Sequence, residues 1–158
     1  MGVSPGRGTL GGMPGDPDPD NLERFVEAQA PVRGRVEAEL RAGEKRSHWM
    51  WFVFPQIAGL GQSPTSRHFA IASLAEARAY VAHPVLGPRL LGDAEILAGL
   101  PGSPTADHIF GSIDAAKLRS SMTLFELADP SAGAFARVLD RYFDGVRDEL
   151  TLRLAPPG

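Results

Sequence analysis

Six consecutive residues, Trp49 to Phe54 (Trp-Met-Trp-Phe-Val-Phe), hold both tryptophans and two of the eight phenylalanines of the chain. Side chains of this size carry the largest burial energies available, so the stretch has to end up against other apolar surface. It is far shorter than the ~20 residues of a membrane-spanning helix, and Pro55 stops it. The remainder of the chain must therefore supply the covering surface. With 158 residues, 43% hydrophobic and 22% charged, it is long enough to do so as one domain without disulfide or metal staples.

Elsewhere the apolar residues recur at helical spacing between proline and glycine punctuation. Asp20 or Asn21 can cap a first helix carrying Leu22, Phe25, Val26 and Gln29, which Pro31 breaks. Val32, Val36 and Leu40 define a second helix from Val32 to Ala42, with Gly43 as its stop. After a loop between Pro55 and Pro64, Thr65 or Ser66 opens a short helix holding Phe69, Ala70 and Ile71. Ser73 and Glu76 form a capping box for the next, with Ala77, Tyr80 and Val81. His83-Pro84 ends that helix and starts another, whose stripe is Val85, Leu86, Leu90, Leu91, Ala94 and Leu97.

A second loop, Gly99 to Pro104, leads to a short helix from Thr105 through Phe110. Ser112 caps a longer one from about Asp114 to Leu127, with Leu118, Met122 and Phe125 facing the core. Ser131 starts a final helix with Phe135, Val138, Leu139, Tyr142 and Phe143, interrupted at Gly145 before Leu150 to Leu154. Sustained strand alternation is absent, and the helices around Trp49 to Phe54 favour a buried helical turn there over a short strand. The expected fold is all-α, a compact single-domain multi-helix bundle over residues 20–155 behind a flexible Gly/Pro-rich tail of residues 1–19.

Several chemistries are excluded. Without Cys there is no disulfide, thiolate metal site or cysteine nucleophile. The four histidines, His48, His68, His83 and His108, have no paired spacing on one helix, so neither a metal nor any other cofactor is implied. His83 and His108 read as helix-end residues. Gly59-Leu-Gly61 lacks the third glycine and preceding strand of a dinucleotide loop, and neither a P-loop nor a nucleophile elbow occurs. A net charge of -3 and a pI near 5.8 disfavour nucleic acid and anionic membrane as partners. The absence of Cys suits a cytoplasmic protein, and the tail lacks the basic start and apolar middle of a secretory signal.

Two readings of the segment from Lys45 to Gln56 remain open. In one, its aromatics are simply core, and the chain is a non-enzymatic structural or protein-interaction module with no partner specified. In the other, an aromatic wall stands beside anion donors. Arg46 offers a planar fork, Lys45 a point charge, Ser47 a hydroxyl, and a helix starting near Ser47 would add free N–H groups. With His48, Trp49 and Trp51 these would suit a small phosphorylated, nucleotide-like ligand. Lys117, Arg119 and Ser120 on the later helix have related chemistry and complete the candidate binding set. Ser121 and Thr123 beside them fit close helix packing. His48 and Asp114 are the candidate acid or base should a glycosidic or phosphate bond be cleaved.

The run Ser-His-Trp-Met-Trp-Phe-Val-Phe-Pro-Gln from Ser47 to Gln56 resembles the bacterial family known as domain of unknown function eighteen-ten. Gly59-Leu-Gly61 with Ser63, Glu76-Ala77 with Tyr80, His83-Pro84 with Leu86-Gly87, and Ile109-Phe110-Gly111 leading into Lys117 to Phe125 extend the likeness over about Phe25 to Leu154. The resemblance implies an all-helical fold, known from a mycobacterial relative, and an unassigned function. Some relatives are labelled calpastatin, an inhibitor built of extended disordered repeats, whereas this chain reads as a compact unit without repeats. A looser likeness, to small helical proteins that process NAD and ADP-ribose derivatives, rests on the pairing of aromatics with basic and carboxylate residues.

Overall fold

In the computed structural model, which describes residues 17–156, the first helix is capped from farther upstream than its flanking residues suggest. The Asp18 carboxylate accepts the N–H groups of Leu22 and Glu23 at 2.7 and 3.0 Å, in place of Asp20 or Asn21. Of the expected tail, residues 1–16 lie outside the described residues. Helix α1 (Glu23–Gln29) passes through a 3-10 turn at Pro31 into α2 (Arg33–Ala42), which ends on Gly43 at a φ of 69°. The aromatic run contributes a single turn, α3 (Met50–Val53).

Helix α4 (Pro64–His68) starts under Ser63, whose Oγ accepts the Ser66 N–H, ahead of the expected Thr65 or Ser66. Phe69, Ala70 and Ile71 leave the helix rather than belong to it. Ile71 pairs with Ile57 in an isolated parallel bridge, its N–H donating to Gln56 O and its carbonyl accepting from Ala58 N, both at 2.8 Å. Both isoleucines thereby reach the core. Sequence periodicity has no means of showing such a tie, because it joins backbone across a loop.

Ser73 caps α5 (Leu74–Ala82) by accepting the Glu76 N–H, and the buried Glu76 side chain accepts from Ala72 N and pairs with Arg24 at 2.9 Å. His83 Nδ1 accepts the N–H groups of Val85 and Leu86 at the start of α6 (Leu86–Ala98). Glycine is needed at position 87, because a Cβ there would lie 2.0 Å from the Val81 carbonyl oxygen. Thr105 caps α7 (Ala106–Phe110), and α8 (Ser112–Ala128) follows directly. A 3-10 turn at Pro130–Ala132 delays α9 (Ala134–Phe143) past the expected start at Ser131, and Asp148 caps α10 (Glu149–Leu154).

Helix α8 is the central element, packed by α5, α7, α9 and α10, while α6 bridges α2, α5 and α9. The shared core contains Phe25, Trp49, Phe54, Tyr80, Phe125 and Phe135, each at most 1% exposed. Leu118, Met122 and Phe125 face it, as the helical spacing requires. Several polar groups inside are paired. Gln29 Nε2 donates to Phe52 O and Tyr80 Oη at 2.6 and 3.0 Å, and Arg33 forms a fork on the buried Asp93 carboxylate at 2.9 and 3.0 Å. Apart from the one bridge, the described residues contain no β-pairing, and the fold is the compact all-helical one expected.

Candidate functional site

Gly111 separates α7 from α8 with φ 81° and ψ 159°, a conformation closed to residues with a side chain, and so turns the chain abruptly into the longest helix. The first N–H groups of an α-helix have no partner within it, and the aligned peptide dipoles place positive charge there. The start of α8, residues 111–114, forms one wall of an open groove of about 390 Å3. Lys45, His48, Met50 and Trp51 form the opposite wall.

Lys45 is held from two sides. Its N–H donates to Ile109 O at 2.8 Å, which ties the loop after α2 to α7. Its side chain, only 8% exposed, runs past the Trp49 ring to place Nζ 2.8 Å from Asp114 Oδ2. Lys117, one turn along α8, brings its Nζ within 3.6 Å of the other Asp114 oxygen and sits 4.8 Å from the centroid of the Trp51 ring. Two cations far apart in sequence thus converge on one carboxylate at the helix start. Trp51 is half-buried, His48 is exposed and makes no hydrogen bond to another described residue, and Ile113 stands 74% exposed at the groove's lip.

The other candidates lie elsewhere. Arg46 is 73% exposed and paired with Glu44 at 3.1 Å, pointing to solvent. The donors of the loop do hold an anion, but it is the protein's own. Glu39 of α2 accepts from Arg46 N (2.9 Å), Ser47 N (3.2 Å), Ser47 Oγ (2.6 Å) and Trp49 Nε1 (2.9 Å). Partial burial pushes this carboxyl up, but the Ser47 hydroxyl, the Arg46 N–H, the Trp49 indole and the Ser47 N–H outweigh it and hold it at about 2. The helix expected near Ser47 starts instead at Met50, and Trp49 is core.

Beyond Lys117 on α8, the Arg119 guanidinium lies 6.0 Å from the Phe143 ring, and Ser120 Oγ donates back to Ala116 O at 3.2 Å. Thr123 Oγ1 donates to Arg119 O and accepts Asp148 N at 2.9 Å, fastening the start of α10. Ser121 Oγ is buried with no hydrogen-bond partner among the described residues. Of the expected set, Lys45, His48 and Trp51 therefore share the groove and Lys117 reaches it through Asp114 and Trp51. Arg46, Ser47, Trp49, Arg119 and Ser120 do not line it. Ile113 and Glu39 escaped sequence reasoning. Ile113 is off the Leu118–Met122–Phe125 stripe and next to a helix start, a signal that could have marked it. Nothing local marks Glu39, whose partners follow an intervening loop.

Among the described residues, no three His, Asp or Glu side chains converge as a metal site requires, and no helix is long and apolar enough to cross a membrane. The sequence profile of a family described as "Protein of unknown function (DUF1810)" matches residues 19–155. The crystal structure of the conserved hypothetical protein Rv1873 from Mycobacterium tuberculosis is similar at a TM-score of 0.85 and 48% identity, covering 87% of this chain and 98% of that one. No curated protein matches the sequence.

Proposed function

The chain belongs to the DUF1810 family of proteins of unknown function, and we propose that its groove at the start of α8 binds a small ligand in which a phosphate-type anion is joined to a flat ring, of the nucleotide or ADP-ribose kind. The observation that carries this reading is the convergence of Lys45 and Lys117 on Asp114, beside the half-buried Trp51. Two ammonium groups against one carboxylate leave net positive charge, which the start of a 17-residue helix reinforces. Asp114 gathers both lysines at one end of the groove but neutralises only one of the two charges, which leaves one for an incoming anion. Trp51 supplies aromatic surface for a ring at the edge of the groove, and the groove falls in the range of roughly 300–1,000 Å3 typical of small-molecule sites.

Thermal shift tests the reading with NAD, ADP-ribose and ADP at millimolar concentration. A ligand at one hundred times its Kd contributes about 2.7 kcal/mol, or roughly 5–10 °C for a chain of this size. Absence of any shift with all three ligands sinks the proposal, as does an undiminished shift in Lys45→Met. A bond-cleaving step would fall to His48 or Asp114, and product formation from ADP-ribose or NAD that disappears in His48→Gln is its measure. One observation favours the second reading, a non-enzymatic partner-binding module: Val146, Leu150, Leu152 and Leu154 are exposed apolar residues near the C-terminal end. On that reading Lys45→Met alters no ligand response because there is none.

A further inference from the structure

A second cavity, of about 130 Å3, shares the Trp51 wall with the cationic groove and lies between the loop after α3 and the α4–Phe69 segment. It is a constructed feature. The Ile57–Ile71 bridge fixes the backbone of Gln56 and Ala58 along one side. Gly61 lets the loop fold down onto α4, where a Cβ would stand 2.5 Å from the Ser66 Cβ. Phe69 closes the opposite side and is itself held between Phe25 and Phe52, at ring separations of 5.7 and 5.3 Å.

The two compartments differ in chemistry. The groove at α8 carries the converging cations, whereas the second cavity is walled by Trp51, Ile57 and Phe69 and contains neither a carboxylate nor a lysine. Its polar side chains include Gln56, whose side-chain amide makes no hydrogen bond to another described residue, and Arg67, whose guanidinium makes only a long hydrogen bond, to Gln62 at 3.4 Å, among the described residues. A free amide, with a donor and an acceptor side by side, matches the edge of a nitrogen heterocycle. A cavity of about 130 Å3 is well below the roughly 300–1,000 Å3 of a whole-ligand pocket and suits a single ring system.

We infer that this cavity is the ring subsite of the same ligand. The anion lies at the start of α8, the heterocycle lies between Trp51 and Phe69 with its edge on Gln56, and the linker passes Trp51. The ligand class is therefore a two-part molecule, a heterocycle joined through a short linker to a phosphate or pyrophosphate, rather than a bare anion or a sugar phosphate. This inference rests on the anion site proposed above.

Amide chemical shifts of the full chain, titrated separately with inorganic pyrophosphate, adenosine and ADP, separate the two claims. Pyrophosphate is expected to move the amides of Gly111, Ser112 and Ile113, adenosine those of Ala58, Gly59 and Gly61, and ADP both sets. ADP should bind at least ~10-fold more tightly than either fragment, and Gln56→Ala should weaken ADP ~5- to 10-fold while leaving pyrophosphate affinity unchanged. If ADP moves the amides at 111–113 alone, or binds no more tightly than pyrophosphate, the ring subsite is overturned and the anion site stands. If pyrophosphate leaves 111–113 unmoved, the anion reading and the two-part ligand fall together, whatever adenosine does. Should Gln56→Ala fail to fold, the shift map of the unaltered chain still decides.

Discussion

Glu39→Gln removes a single charge at the point where the loop carrying Lys45 and His48 is fastened to α2. The glutamine amide can keep the geometry: its oxygen takes the three N–H donors, and its NH2 faces the Ser47 hydroxyl, which accepts as well as donates. What is lost is charge assistance. A carboxyl held at about 2 against an ordinary value of 4.5 sets an upper bound of about 3 kcal/mol. The group is partly exposed, and solvent screening brings the expected loss to about 1–2 kcal/mol. Because the folded value is depressed, this stability is fully present above pH 4.5 and is lost as pH falls from 4.5 toward 2. Urea unfolding followed by tryptophan fluorescence should therefore show Glu39→Gln less stable than the parent at pH 7, with most of the gap closed by pH 3. Glu39→Ala should cost about 3 kcal/mol at pH 7, since it also leaves the buried Trp49 indole N–H without a partner. Equal stability of Glu39→Gln and the parent at pH 7, or a gap that does not shrink on acidification, would refute the claim that these four donors hold the carboxylate ionised.

Three further outcomes follow from the geometry. Gly111→Ala should lower stability by about 1–3 kcal/mol in chemical denaturation, because φ 81° with ψ 159° admits no Cβ without strain. Ser121→Ala should be neutral or stabilising by up to about 1 kcal/mol, since it removes a buried hydroxyl with no partner among the described residues, and a clear destabilisation would mean that the hydroxyl is satisfied. Asp114→Asn should strengthen pyrophosphate binding several-fold in calorimetry by freeing Lys45 and Lys117 from their internal counter-charge, and a weakening would show that Asp114 is needed to position them.

The elements were largely legible in the chain because their signals act within one turn. Gly43 ends α2 where the αL conformation needs it, Ser73 and Thr105 cap the helices they precede, and His83 marks a helix junction. The misplacements occurred where a partner beyond the immediate turn decides. Asp18 reaches forward to cap α1, and Ile71 leaves the α4 region because Gln56 and Ala58 offer it a backbone bridge. Composition alone determined that Trp49 to Phe54 must be buried somewhere, yet not which rings would be sealed. Trp49 and Phe54 are core while Trp51 is left half-buried between two cavities.

For the candidate site, charge and aromatic content drew attention to Lys45, His48, Trp51 and Asp114, which border one groove, but did not tell which donors are engaged internally. Arg46, Ser47 and Trp49 have the chemistry of an anion site and belong to one, occupied by Glu39 from the preceding helix. Lys45 and Lys117 meet only because Gly111 turns α8 back so that Asp114 faces the loop after α2. Helix propensity and capping are properties of a few adjacent residues, so the sequence determines them by itself. Whether a charged side chain is spent on an internal partner or left for a ligand depends on where distant segments pass, and that is decided when the core packs.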